Sequence, residues 1–468
     1  MNTLSNNLNL FNPQGTIIEE NGQQHQVQQI LTDGDLFFSG ITTRSLVLIL
    51  CQNQYESIFF YINAINRGVV PILIDAQSDS SLLNRLVLEY EPDFIFTPCT
   101  KEAQFENYLI EHQLRNYSLL KSNHQGTLTL YNELALLLST SGTTGSPKLV
   151  RLSYENLISN ASSIAEYLGL DSSETAISTL PINYSFGLSI INSHLFVGGS
   201  VVITMESITQ RRFWDLFKKF NVTSLSGVPY TFEILKKFRL LNAELPSLKT
   251  LTQAGGKLSN ELIEHFTQIS INNGIRFFIM YGQTEGTARL SYLPPQFNME
   301  KLGSIGKAIP KGEFQIIDEN GKIINQPGTS GELVYSGPNV MLGYADCKKD
   351  LIRGNENNGR LLTGDIALFD DQGFYFIVGR IKRFIKLFGN RVNLDELERL
   401  LFDIGIQSAC KGSDNALVIY ILNQENTPLV KEFLTKKLGL HFSVLDIRII
   451  EEIPKNTSGK TLYSKLPD

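Results

Sequence analysis

Leu46–Cys51 reads LVLILC, six apolar residues in succession with no polar position left to face water. A strand of this kind is stable only where both of its faces are covered. The pattern recurs: Tyr55–Asn66 has helical spacing, Val69–Ile74 is apolar again, Leu82–Tyr90 is helical, and Phe94–Phe96 and Leu134–Leu138 are further apolar runs. Apolar strands alternating with helices predict βαβ units and a parallel sheet sandwiched between helices. After Asp171 the alternation starts again. Strands are expected at Ala176–Leu180, Ser200–Thr204, Ser224–Ser226, Thr250–Gln253 and Arg276–Met280, and helices at 189–197, 211–220, 230–241 and 261–269. Two successive α/β sheets follow, neither repeating the other in sequence.

Residues 1–45, polar and rich in Gln and Asn, read as a loose entry with an edge hairpin. Beyond Pro294 the texture turns β-rich, with a hairpin turn at Asp370–Gly373, and a barrel-like subdomain is expected over about 295–380. After Arg380 the reading is strand, helix, two strands, helix, strand. The expected fold class is therefore α/β. A large N-terminal domain (1–380) holds two α/β sheets and the small β-barrel-like subdomain, and a small α+β domain (381–468) follows.

A net charge of −6 provides no broad basic field, which argues against a nucleic-acid partner. Cys51, Cys99, Cys347 and Cys410 are far apart and fit no metal spacing, so a reducing compartment is expected. The six histidines are equally scattered, which makes a metal cage built from side chains unexpected. The opening MNTLSNNLNLF has no basic residue, so no secretory signal is expected. No apolar run approaches the roughly 18 residues of a membrane span. The expectation is a soluble, cytoplasmic protein.

The stretch Leu138–Lys148, LSTSGTTGSPK, follows an apolar strand and precedes a helix capped by Ser153 and closed by Gly169. Glycines turn backbone N–H groups toward an anion, hydroxyls add donors and the lysine adds charge, which is what a phosphate cradle needs. The spacing is G-x-x-G-x-x-K without a following Ser or Thr, so it is not a Walker A loop. A hydroxyl-rich surface loop has the same composition.

Four further stretches keep it company: Tyr281–Glu285 (YGQTE), Thr363–Asp365 (TGD), GRIKRFIKLFGNRVNLDELE at 379–398 and PKNTSGK at 454–460. In this order the five motifs resemble the adenylate-forming superfamily of acyl-CoA synthetases, luciferases and adenylation domains. QAGGKL at 253–258 and the run from Met280 to Pro295 are similar to compact stand-alone bacterial acyl ligases. The resemblance implies that a carboxylate attacks the α-phosphate of ATP, giving an acyl-adenylate and pyrophosphate, and that a thiol then displaces AMP. ATP and Mg²⁺ are the implied cofactors, with CoA or the phosphopantetheine of a carrier protein as acceptor.

The resemblance also implies roles. Thr140, Ser141, Gly142, Thr143, Thr144, Gly145 and Lys148 would bind phosphates, and Glu285 would hold Mg²⁺ with a weaker contact from Thr144. Gly255, Gly256, Tyr281, Gly282 and Gln283 would bind the nucleotide, Tyr281 by stacking on adenine. Thr284 would donate to the α-phosphate, while Asp365 and Arg380 would contact the ribose. Lys460 would bridge the α-phosphate and the substrate carboxylate. The small domain would be mobile, rotating about Lys382, and Lys386 would face the site in the second orientation. Taken alone, Tyr281 is also a core tyrosine, Asp365 a turn residue and Lys460 a solvated cation.

Leu180–Leu188, LPINYSFGL, departs from the family's LPLFHSFGL in carrying Tyr184 for histidine. Gly187 stands where members that activate α-amino acids carry Asp. An acid without an α-amino group is therefore expected, with Tyr184, Phe186, Gly187, Val228 and Ala254 on the pocket wall. Arg380, Lys382, Arg383, Lys386 and Arg391 form a basic cluster suited to CoA phosphates or an acidic carrier, or simply to solvent. Two alternatives stay open: an amine acceptor such as an amino acid or amino sugar, and a non-catalytic nucleotide-binding regulator. Retention of Lys148, Glu285, Asp365, Arg380 and Lys460 counts against the regulator.

Overall fold

In the computed structural model, residues 10–123, 128–139, 148–242, 245–387, 390–413, 416–438, 445–455 and 461–467 are described. The chain divides into two compact units, 1–313 with 335–361 and 314–334 with 362–468.

In the first unit, Leu46–Cys51 lies inside an eight-stranded sheet. Its order is Gly343–Ala345, Leu149–Ser153, Leu134–Ser139, Val70–Asp75, Leu46–Cys51, Phe94–Pro98, Tyr117–Ser122, Tyr108–Leu114. The four central strands, from Leu134–Ser139 to Phe94–Pro98, are parallel and the outer ones antiparallel. The uniform hydrophobicity of Leu46–Cys51 has a direct cause. Val47, Ile49 and Cys51 join a core with Ile58, Phe59 and Ile62 of helix Tyr55–Asn66. Leu46, Leu48 and Leu50 join another with Leu83, Leu86 and Tyr90 of helix Ser80–Tyr90. Each such side chain removed from water contributes about 1.5–3 kcal/mol.

The second sheet has nine strands: Lys307–Ala308, Ser291–Leu293, Arg276–Tyr281, Thr250–Gln253, Ser224–Gly227, Thr175–Ile177, Ser200–Val202, Thr16–Ile18, Gln24–Gln26. Its centre is parallel, and the expected N-terminal hairpin forms one edge, Thr16–Ile18 running parallel to Ser200–Val202. Helix Tyr154–Leu168 begins in a capping box between Ser153 and Asn156 and ends at Gly169 in the left-handed region, as local chemistry predicts. One local expectation fails. Val27–Phe37 is a helix rather than a continuation of the loose entry. It buries only Val27, Ile30 and Gly34, so its apolar stripe is too thin to read in a Gln-rich stretch.

The second unit contains most of a four-stranded sheet ordered Glu313–Ile317, Gly331–Ser336, Arg360–Phe369, Tyr375–Arg380. It also holds the ribbon Phe384–Leu387/Asn390–Asn393 and a three-stranded sheet of Ser408–Ser413, Ala416–Ile421 and Leu445–Ile449. Helices Leu394–Asp403 and Thr427–Leu438 pack on that last sheet through Leu397, Leu401, Val430 and Leu434. Among the described residues, no helix is long and apolar enough to cross a membrane.

Candidate active site

The strand Leu134–Ser139 leads into 140–147, so Thr140, Ser141, Gly142, Thr143, Thr144 and Gly145 lie outside the described residues. The chain resumes at Lys148. Antiparallel pairing sets Ala345 opposite Leu149 and Tyr344 opposite Val150, which brings Tyr344 beside the lysine. Lys148 Nζ lies 3.8 Å from the centroid of the Tyr344 ring. The Tyr344 hydroxyl donates to Glu285 Oε1 at 2.8 Å. Burial, then the Glu285 charge, pushes the Tyr344 phenol up. Two residues drawn from separate motifs are thus joined through a tyrosine that sequence reasoning missed.

Glu285 sits in a short turn that strand Arg276–Tyr281 delivers. A side chain at Gly282 would collide with the Ala288 carbonyl, so the chain reverses there only because that residue is glycine. Gln283 Nε2 donates to the Tyr281 hydroxyl at 3.1 Å. Thr284 Oγ1 is 3.2 Å from Ser185 Oγ at the start of helix Ser185–Phe196. Thr287 and Ala288 carry φ angles of 61° and 137°, rare for residues with a Cβ. Such strain persists only where surroundings over-determine it. Here Thr287 Oγ1 donates to the Asn339 carbonyl at 2.6 Å, and Asn339 Nδ2 donates to the carbonyls of Gly286 and Arg289 at 2.8 and 3.0 Å. The Met341 N–H binds the Glu285 carbonyl at 2.9 Å.

Four of the five residues expected on the pocket wall lie together. Phe186, Val228 and Ala254 share one buried apolar cluster with Met280, and Tyr184 packs against it. Gly255 has φ +86°, and a Cβ there would lie 2.6 Å from the Tyr184 hydroxyl. Gly256 accepts at its carbonyl from Gln253 Nε2 at 2.9 Å. A side chain at Gly187 would strike the Pro181 carbonyl, so the helix start has no room for a carboxylate there. Burial pushes the Tyr184 phenol up and Arg289 pulls it back. Arg289, which the sequence reading passed over, is 1% exposed, and its guanidinium stacks 4.1 Å from the centroid of the Phe186 ring.

In the second unit, register sets Asp365 opposite Arg380, and Arg380 Nε donates to Asp365 Oδ1 at 2.8 Å. Asp365 is 1% exposed. The turn before it is fixed by Thr363, whose hydroxyl donates to the Leu333 carbonyl at 2.7 Å. Arg383 is already neutralised, with Nε on Asp395 Oδ1 at 2.8 Å and Nη2 on Glu398 Oε1 at 2.5 Å. It therefore drops out of the expected basic cluster. The side chains of Lys382, Lys386 and Arg391, and the whole of Lys460, lie outside the described residues.

The profile of the family described as AMP-binding enzyme matches residues 36–345. The chain is 26% identical over 480 residues to 4-coumarate–CoA ligase-like 6 of Arabidopsis thaliana, covering 94% of this chain and 83% of the other. It is 29% identical over 364 residues to the probable CoA ligase CCL5 of Humulus lupulus, covering 74% of this chain and 65% of that one. Its fold is that of o-succinylbenzoate CoA synthetase (MenE) from Bacillus subtilis, solved with the acyl-adenylate OSB-AMP. The TM-score is 0.78 at 22% identity, over 97% of this chain and 95% of the other.

Proposed function

The chain belongs to the AMP-binding enzyme family, and from that premise we propose that it is an ATP-dependent acid–thiol ligase. A carboxylate oxygen attacks the α-phosphorus of ATP, the bond to pyrophosphate breaks, and the acyl-adenylate formed passes its acyl group to a thiol as AMP leaves. CoA, or the phosphopantetheine of a carrier protein, is the proposed acceptor.

Negative charge accumulates on the phosphoryl oxygens in the first step, so fixed donors and cations carry most of the catalysis. The observation that carries this reading is the Lys148–Tyr344–Glu285 chain, which sets a cation and a carboxylate of two separate motifs around one phenol. Ser141, Thr143, Thr144 and Lys148 are assigned to the β- and γ-phosphates, Thr284 to the α-phosphate, and Tyr281 to adenine. Glu285 suits Mg²⁺. Tyr344 occupies one of its oxygens, a carboxylate offers about four lone-pair sites, and Mg²⁺ takes one or two carboxylates with phosphates and water. When bound, the ion neutralises charge on the phosphate tail. Asp365 and Arg380, already paired, are assigned to the ribose hydroxyls, and Lys460 to the bridge between α-phosphate and substrate carboxylate. A small domain from 381 onward, turning about Lys382, is proposed to exchange Lys460 for Lys386 between the two steps.

The substrate lacks an α-ammonium in this reading. A buried ammonium without a partner costs about 3–5 kcal/mol, and Gly187 leaves no space for one. The test is to supply Mg·ATP and an acid panel with CoA, a phosphopantetheinylated carrier or an amine, and to identify products by mass. Thioester formation is expected. Amide as the sole product would replace the thiol acceptor.

A further inference from the structure

Among the described residues, two arginines of the first unit are wholly enclosed, and they differ in company. Arg151 is 0% exposed and holds the Glu356 carboxylate together with the carbonyls of Tyr344, Arg353, Gly354 and Leu342. Its charge is balanced and its fork is filled, as a structural arginine requires. Arg289 is 1% exposed and has nothing comparable. Its Nη1 reaches the Tyr167 hydroxyl at 3.3 Å and the weakly accepting Met280 sulfur at 2.6 Å, and its Nη2 reaches Ser189 Oγ at 3.1 Å. Its Nε is buried with no partner, and no carboxylate pairs with it among the described residues. A buried cation without a counter-charge is held only where something else is gained.

Arg289 is four residues beyond Glu285 in the chain, and its guanidinium lies against Phe186, expected on the acyl-pocket wall, and against Met280 of the same apolar cluster. Building on the ligase reading above, we propose that Arg289 is a specificity-determining residue for the acid, and that the acid carries a second carboxylate. That group takes the side-on fork of Nε and an adjacent Nη, the geometry in which arginine binds carboxylates bidentately. The surrounding apolar wall packs the carbon chain between the two carboxylates. A wholly apolar acyl chain would instead leave the guanidinium desolvated and unpaired in the complex.

The test measures pyrophosphate release with Mg·ATP for acids of matched length that end in a carboxylate, an amide or a methyl group. The carboxylate-ended acid is expected to exceed both others by at least about tenfold in kcat/KM. Arg289→Met should erase that preference, improve the methyl-ended acid, and leave the melting temperature unchanged or higher. An amide- or methyl-ended acid that matches the diacid in the unaltered protein would overturn the proposal, as would an Arg289→Met variant that keeps the preference. If Arg289→Met does not fold, Arg289→Lys decides. It keeps the charge and loses the fork, so an undiminished preference rejects the assignment. Release with methyl-ended acids but no diacid preference would sink this inference alone; release with no acid at all would remove the ligase reading and this inference together.

Discussion

The Tyr344 hydroxyl donates to Glu285 Oε1 at 2.8 Å while the ring beneath it supports Lys148. The phenol fixes one carboxylate oxygen and so orients the other. Tyr344→Phe keeps the ring and removes that bond. About tenfold loss in kcat/KM for adenylation is expected, on the scale of a charge-assisted hydrogen bond, with a raised Mg²⁺ requirement in a metal titration. Tyr344→Ala should cost more, because Lys148 also loses its platform. An unchanged Mg²⁺ requirement in Tyr344→Phe would detach the phenol from the carboxylate's function.

Gly282 is the position where the turn tolerates no side chain. Gly282→Ala must displace the strained Thr287–Ala288 segment or the Tyr281 strand end. Expected are a stability loss of about 1–3 kcal/mol in denaturant unfolding and at least about 100-fold lower activity, since misplacement by an ångström is that costly. Ala288→Gly should act oppositely and raise stability by about 1 kcal/mol, because relief at φ 137° outweighs the entropy of an added glycine.

His194 gives the first unit a defined acid sensitivity. The ring is buried in helix Ser185–Phe196, with Nδ1 2.8 Å from the Ile190 carbonyl and Nε2 without a partner among the described residues. Burial lowers its pKa from 6.5; the Ile190 bond and Glu174 oppose this, while Arg289 adds to it. A lowered histidine value means that the unfolded chain takes up the proton first. The histidine's contribution is therefore whole above pH 6.5 and is lost as the pH falls below it, at up to about 1.4 kcal/mol per pH unit. Melting temperatures measured downward from neutral pH should show this slope, and His194→Gln should flatten it. An equal slope in the variant would place the sensitivity elsewhere.

Lys460 and Lys386 are assigned to different half-reactions. Lys460→Ala should reduce adenylation by several hundred-fold or more, a loss of at least about 3.5 kcal/mol of transition-state stabilisation. Lys386→Ala should spare adenylation and slow thiol transfer. Equal losses in both steps for Lys386→Ala would cancel its separate role.

What the sequence disclosed follows from the range of each interaction. Ser153 and Gly169 bracket their helix through bonds to the next few residues, and Leu46–Cys51 declares its two buried faces by composition alone. Asp365 and Arg380 were each expected, and the strand register joins them. Tyr344 and Asn339 were not legible, because what distinguishes them is contact with Glu285 and Gly286, far off in the chain. Arg289 left a fainter trace, a lone cation in the otherwise small and apolar run after Glu285, but its burial and missing counter-charge exist only in three dimensions.

In the proposed reaction the Lys148 and Glu285 motifs act together on a triphosphate to activate a carboxyl group. Exchange of labelled pyrophosphate into ATP measures that step in isolation, before any acceptor takes part. The expected result is exchange that requires both an acid and Mg²⁺ and falls at least about 100-fold in Lys148→Met and in Glu285→Gln. Exchange absent with every acid tried, or equal in the unaltered protein and both variants, would contradict it.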